Sequence, residues 1–280
     1  MAPDESATPR ADLPSAPFPL VAVDVGNNRT KYGWFEGPAA GRLPEPIERL
    51  EVAGDWPDFG ALHRWLGPLV LGPVGWWIGS VNRPSCTRLV DWLREHRPED
   101  RVTLLAARDV PLEVDVDRPD MVGIDRLLDA VAADRLRHPG RAAVVVDVGS
   151  AITVDLVSPQ GAFLGGAILP GIAMSARALH QFTDLLPLLD MSELAEPPPA
   201  LGQSTVAAMR SGLFWGAVGA IDQLSRRLTA GHPGPPQIFL TGGAGPAVAA
   251  LLGPEALHVP HLTLAGIALT AEAVAGRDEP

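Results

Sequence analysis

The sequence predicts an α/β protein of two similar domains facing one another across a cleft. One phrase occurs twice: Val21-Ala22-Val23-Asp24-Val25-Gly26 and, about half a chain later, Val144-Val145-Val146-Asp147-Val148-Gly149. Each copy is an apolar, β-branched run closed by Asp-x-Gly, which reads as a buried strand delivering one carboxylate and a tight glycine turn at its tip. The identity extends to Thr30 and Thr153, six residues after each Asp. In both halves, strands in hairpin order then give way to alternating helix and strand. Two such turns face to face pair carboxylates with exposed backbone N–H groups, an arrangement suited to a metal–nucleotide.

The elements follow in order. Phe18–Val25 reads as the first strand, Lys31–Phe35 as its hairpin partner and Ile47–Val52 as a third. Asp58–Leu66 is a short helix, Trp76–Val81 a buried strand, Ser85–His96 a helix and Arg101–Leu105 a strand. Gly123–Leu136 is a helix with Ile124, Leu127, Leu128 and Val131 on one face. His138-Pro139-Gly140 ends it and marks a boundary, giving domains 18–138 and 139–280. The second half repeats the plan with strands Ala142–Val148, Ala151–Val157 and Ala162–Ile168, the last two joined by a turn at Ser158-Pro159-Gln160-Gly161. A helix over Gly171–Leu179, a long helix from Ser204 to Leu228, a short strand Ile238–Leu240 and a closing helix Leu262–Val274 complete it. This order, occurring twice, is the ribonuclease-H-like plan of the actin and sugar-kinase type. The predicted fold is therefore two ribonuclease-H-like α/β domains with an interdomain cleft.

Composition narrows the function. With 46% hydrophobic and 20% charged residues, the 280-residue chain can bury a substantial core. A formal net charge of −11 leaves no basic surplus to neutralise phosphates, which argues against a nucleic-acid partner. Cys86 is the single cysteine, so no intrachain disulfide forms and a reducing compartment fits. Residues 1–17 mix Pro, Ala, Ser and acids without an apolar stretch, reading as a disordered leader rather than a signal peptide. No run reaches the length of a membrane span. A cytoplasmic protein without membrane partners is expected.

Five stretches carry chemistry. In the first, Gly26 allows close backbone approach to a phosphate, Asn27 can donate from its amide and Lys31 can reach a phosphate as a point charge. Asp24 can hold Mg²⁺ through water; a lone Asp-x-Gly would read as a polar turn, and the second copy favours function. In the second, Gly123-Ile124-Asp125-Arg126, an Asp in a first helical turn is ordinarily a dipole-complementing residue, kept ionised and thus a weak base. Phosphoryl transfer through a loose transition state needs no stronger one. Arg126 can fork onto a carboxylate or phosphate. In the third, Asp147 is the cation-binding candidate, with Gly149 and Ser150 as phosphate-side donors; Gly165 and Gly166 read best as relief of crowding between strands. In the fourth, Ser204 is the helix cap and Thr205 the residue after it. In the fifth, Thr241-Gly242-Gly243, glycines at this place in such folds lie against base and ribose. The seven histidines show no metal-ligand spacing.

The order and spacing of these stretches resemble the type III pantothenate kinase family. Its pattern of Asp-x-Gly-Asn-Thr, Gly-x-Asp-Arg, Asp-x-Gly-Thr-Ala-x-Thr-x-Asp, Gly-Gly-x-Ile-x-Pro-Gly and Thr-Gly-Gly is matched from Asp24 to Asn28, Gly123 to Arg126, Asp147 to Asp155, Gly165 to Gly171 and Thr241 to Gly243. The resemblance spans roughly residues 20–270 and rests on five motifs in register. It implies ATP-dependent phosphorylation of pantothenate to 4'-phosphopantothenate, the first step of coenzyme A synthesis, by a homodimer that uses Mg²⁺ and a monovalent cation, K⁺ or NH4⁺. By the same resemblance, ATP contacts fall on Asp24, Val25, Gly26, Asn27, Asn28, Arg29, Thr30 and Lys31, with Ser150. Asp125 is the general base, Gly123, Ile124, Asp125, Arg126 and Thr205 contact pantothenate, and Asp147 binds K⁺.

Three positions depart from the pattern. Asn28 and Ser150 stand where Thr is usual, each keeping a polar group. Val116, nine residues before the base, stands where many members have a substrate-side Tyr. Two other readings remain at this point: a non-catalytic regulatory or accessory homologue, and a kinase for a different small hydroxylated acid.

Overall fold

The computed structural model describes residues 18–38, 43–54, 58–69, 72–190 and 196–277; the expected leader, residues 1–17, lies outside them. The first half runs β1 (Leu20–Val25), β2 (Arg29–Phe35), β3 (Glu48–Ala53), α1 (Phe59–Leu66), β4 (Gly75–Ser80), α2 (Arg83–His96), β5 (Arg101–Leu104), β6 (Glu113–Val114) and α3 (Ile124–Leu136). The second runs β7 (Ala143–Val148), β8 (Ala151–Val157), β9 (Ala162–Pro170), α4 (Ile172–Gln181), α5 (Thr205–Leu228), β10 (Gln237–Thr241), α6 (Gly245–Ala249), β11 (Ala256–His258) and α7 (Leu262–Ala275). The sheets have the orders β3-β2-β1-β4-β5 and β11-β10-β7-β8-β9-β6. Counted within its own half, the second sheet repeats the first, with β1 and β7 as equivalent central strands. Each central strand has an antiparallel hairpin partner on one side and a parallel neighbour on the other. These are the two ribonuclease-H-like domains that the duplicated phrase predicts.

Side-chain alternation along the central strands builds three cores. Val21, Val23 and Val25 of β1 pack against Leu62 of α1 and Leu89 and Leu93 of α2. Val144, Val146 and Val148 of β7 pack against Ile172 of α4 and Phe214 and Ile221 of α5. The opposite faces, Leu20 and Ala22 on β1, Ala143 and Val145 on β7, share one core with α3 and α7. These two helices therefore form a layer between the sheets. Their crossing is close enough that a Cβ on Gly266 would stand 2.0 Å from the Leu128 carbonyl oxygen, so this position requires glycine. The next residue on each inward face is an aspartate, Asp24 on β1 and Asp147 on β7. Alternation alone thus aims both carboxylates at the central layer.

Most elements stand where the sequence places them, within a few residues. The closing helix, α7, has only Thr263, Thr270 and Glu272 as polar side chains; it is buried nearly all round and packs on β1, β2 and β4 of the first sheet as well as on α3. Strand β6, two residues long, leaves the first half to pair in parallel with Ala162 and Phe163 of β9. Nothing in a dipeptide announces that. Among the described residues, no helix is long and apolar enough to cross a membrane.

Candidate active site

The two Asp-x-Gly turns meet. Asn28 Nδ2 donates to Ser150 Oγ at 2.7 Å, joining loops 122 residues apart in the chain. The two hairpins are similar but unequal. In the first, Val25 faces Thr30 and Asp24 faces Lys31; in the second, Val148 faces Ile152 and Asp147 faces Thr153. The matched threonines are therefore not equivalent in register, because the first turn holds one residue more. Its closure runs from Gly26 N to Arg29 O at 3.0 Å, whereas the second closes from Gly149 N to Ala151 O at 3.0 Å. The longer turn carries Asn28, the residue that reaches across. At the base of this turn Lys31 Nζ lies 3.4 Å from Asp24 Oδ2, both largely buried.

Asp125 sits in the first turn of α3, where Arg126 N donates to its Oδ1 at 2.8 Å. The helix terminus and this bond favour the carboxylate, as the sequence suggests. Burial opposes them and is the larger effect, and the negative charge of Asp24 adds to it, so the pKa of Asp125 is raised above the usual aspartate value. The residue is a better base than its position in a helix implies. Gly123 stands 2.6 Å from Asp125 Oδ1 at the place a Cβ would occupy, so a larger residue there would displace the carboxylate.

Arg126 takes the carboxylate option of its two. Its Nε and Nη2 both donate to Asp155 on β8, with Nε 3.0 and 3.1 Å from the two oxygens. The Asp155 side chain is only 2% exposed. The guanidinium also lies 5.6 Å from the Phe163 ring centroid, within reach of a cation–π contact. Gly166 makes room for this pair: a Cβ there would fall 2.1 Å from Val154 O and 2.5 Å from Asp155 Oδ1. The crowding expected at this glycine is real. Gly165, with a positive φ of 90°, faces Val116, whose Cγ1 is 3.5 Å from the Cβ position.

Asp147 is enclosed by backbone. Gly242, at φ 88°, places its would-be Cβ 2.4 Å from Asp147 Oδ1 and 2.5 Å from the Val148 carbonyl oxygen. Gly171 N donates to Ser150 O at 3.1 Å and packs against Gly149 and Ser150 in the same way. Asp147 Oδ1 is buried without a hydrogen-bond partner among the described residues. A hard, unpaired carboxylate oxygen beside a carbonyl oxygen, approached closely by a residue that only glycine can be, fits a cation with oxygen ligands. Burial pushes the Asp147 pKa up to about 6; Lys31 pulls it down, while Asp24, Asp125 and Asp155 raise it further. In buffer free of metal salts the folded protein thus holds this proton more tightly than the unfolded chain. Its contribution to stability is present below about pH 4 and lost as the pH rises through about 6. Asp147→Asn removes that loss. Relative to wild type, the variant should gain on the order of 2 kcal/mol of stability between pH 4 and 7, read by urea unfolding at each pH.

Around this centre the structure gathers Asp24, Lys31, Asp125 and Asp147, while Asn28 and Ser150 bridge the two turns and Gly242 packs against Asp147. Thr205 opens α5 as an exposed residue after the Ser204 cap, and the described hydrogen bonds and ion pairs of the cleft do not include it. Two acids give little sign of themselves in the sequence. Asp155 stands out only as the end of a motif. Asp129 lies four residues after Asp125, on the same side of α3, and its place in an otherwise apolar stretch was the available signal.

A family model described as type III pantothenate kinase matches residues 20–227. A type III pantothenate kinase of Dehalococcoides mccartyi is 34% identical over 254 residues, covering 89% of this chain and 95% of its own. One from Parafrankia sp. is 36% identical over 267 residues, covering 90% and 97%. Another, from Rhodopirellula baltica, reaches 44% over 190 residues, covering 66% and 67%. Among solved structures, a Campylobacter jejuni protein described as a Baf family transcriptional activator is similar in fold, with a TM-score of 0.55 at 20% identity over 88% of this chain and 94% of that one.

Proposed function

The chain belongs to the type III pantothenate kinase family, and on that premise we propose that Asp125 accepts the proton of the pantothenate hydroxyl as the γ-phosphoryl group of ATP is transferred to it. The product is 4'-phosphopantothenate, at the entry to coenzyme A synthesis. The observation that carries this reading is the convergence of both Asp-x-Gly turns, bridged by Asn28 and Ser150, on the carboxylate at the start of α3.

The residues divide the work as follows. The first turn, Asp24 to Lys31, and the second, at Gly149 and Ser150, offer N–H groups, side-chain amides and one ammonium to the triphosphate, with Gly242 and Gly243 beside the base and ribose. Asp24 would hold Mg²⁺ through water, and the ion would supply positive charge to the phosphates. Asp147 and the Val148 carbonyl suit K⁺ or NH4⁺. Gly123, Ile124, Arg126 and Thr205 contact pantothenate. Asp125, more basic than an ordinary aspartate, holds the alcohol and takes its proton late, as a loose transition state demands. Val116 keeps a second acceptor open: a kinase for another small hydroxylated acid. Retention of Asp24, Asp125 and Asp147 together disfavours a purely regulatory role, since binding alone needs no positioned base. The test is ADP release with ATP, Mg²⁺ and K⁺ across a panel of small hydroxylated acids. Pantothenate should give the highest kcat/KM; equal turnover with an acid of different shape, or none with any, would contradict the assignment.

The working form is a homodimer, in the cytoplasm. Phe182, Leu185, Leu188 and Leu201, between α4 and α5, are exposed apolar side chains, with Leu185 at 86%. Covering them removes that apolar surface from water, and Val206, beside Thr205 in the first turn of α5, is a further exposed apolar side chain. Light scattering should return twice the chain mass for wild type and a single chain mass for Leu185→Asp combined with Phe182→Asp.

A further inference from the structure

Asp129 is a buried acid of the cleft to which the proposed reaction gives no task. It is 3% exposed, and on α3 it lies one turn beyond Asp125, on the same side of the helix. The Thr263 hydroxyl, in the first turn of α7, hydrogen-bonds its carboxyl. Its Oδ1 has no hydrogen-bond partner among the described residues, and the same is true of Asp147 Oδ1. Burial, then the nearby Asp147 carboxylate, raise the Asp129 pKa well above the ordinary value.

The local charges do not balance. Asp24, Asp125, Asp129 and Asp147 all interact with one another, yet the cation that reaches Asp129 is Lys31, already 3.4 Å from Asp24. Arg126 is committed to Asp155. A buried carboxylate oxygen without a donor is stable only when a proton or a cation supplies the missing charge. Two such oxygens, one on α3 and one at the tip of β7, belong to carboxyls whose charges act on each other, and the Val148 carbonyl oxygen lies beside the second. Among the described residues no group of three His, Cys, Asp or Glu side chains is placed to hold a metal ion. Two carboxylates and a carbonyl suit a large ion of single charge better than Mg²⁺, which demands a near-ideal octahedron.

We propose that Asp129 is the second carboxylate of the monovalent-cation site, offering its unpaired Oδ1 to the ion held by Asp147. This rests on the reading of Asp147 given above, and the experiment separates the two. The melting temperature of the nucleotide-free protein is followed against KCl, with choline chloride holding ionic strength constant. Wild type should be stabilised by K⁺, Asp147→Asn should lose the response, and Asp129→Asn should need roughly tenfold more K⁺ or lose the response as well. An unchanged K⁺ midpoint in Asp129→Asn, with the response lost in Asp147→Asn, overturns the role of Asp129 alone and leaves it as a protonated partner of Thr263. A response kept in both variants overturns the cation site itself. Should Asp129→Asn not fold, wild-type crystals soaked in Tl⁺ decide: an anomalous peak bonded to both Asp129 Oδ1 and Asp147 Oδ1 is expected, and one touching Asp147 without Asp129 contradicts it.

Discussion

Asp125→Asn should lower kcat by about 10²–10⁴, the range typical of a removed general base, while leaving ATP affinity near wild type. The amide keeps the shape of the carboxylate and can still accept from Arg126 N, so α3 should start as before. What it cannot do is take a proton from the alcohol. The proposed nucleotide contacts lie on other elements, the hairpin turns at Gly26 and Gly149, and are left untouched. Wild type should also lose rate on the acid side as Asp125 protonates, at a pH above the ordinary aspartate range because burial raises its pKa. The variant should lack that limb. Steady-state kinetics across pH, with nucleotide binding measured separately, would check both; a variant within threefold of wild type at every pH removes Asp125 as the base.

Asp155→Ala should be the most destabilising substitution in the cleft. Arg126 and Asp155 form a buried bidentate pair, with the aspartate side chain 2% and the arginine 14% exposed. Removing one partner leaves the other charge desolvated beside Phe163 and costs about 3–5 kcal/mol, far more than loss of a surface ion pair. The space cannot refill easily, since Gly166 is packed against the Val154 carbonyl. Asp155→Asn should cost less because the amide oxygen can still accept from one N–H. Urea unfolding of the three proteins would show this order. Equal stability would mean that Arg126 finds a substitute partner. Because Arg126 follows Asp125 directly, the alanine variant should also raise KM for pantothenate more than it raises KM for ATP.

Much of this was legible before any coordinates. The repeated Val-Asp-Val-Gly phrase specified the two central strands, because a β-branched run ending in Asp-x-Gly has few other uses, and the alternation of Leu20, Ala22 and Asp24 already states which way the carboxylate faces. The helix at Ile124–Leu136 was readable from its apolar spacing. Three things were hidden. The hairpins differ in length by one residue, which only backbone pairing reveals, so Thr30 and Thr153 look equivalent and are not. The basicity of Asp125 depends on burial by parts of the chain remote in sequence, and the local helix terminus gave the opposite sign. Asp129 is hidden for the same reason, since the groups that act on it, Asp147 and Thr263, are remote from it in the chain.

A crystal structure of the chain with pantothenate and a non-hydrolysable ATP analogue tests the arrangement most directly. The pantothenate hydroxyl should lie about 2.6–3.2 Å from an Asp125 carboxylate oxygen, with the γ-phosphate between the Gly26 and Gly149 turns. A hydroxyl bound out of reach of Asp125, or a triphosphate seated away from those two turns, would contradict the assignment.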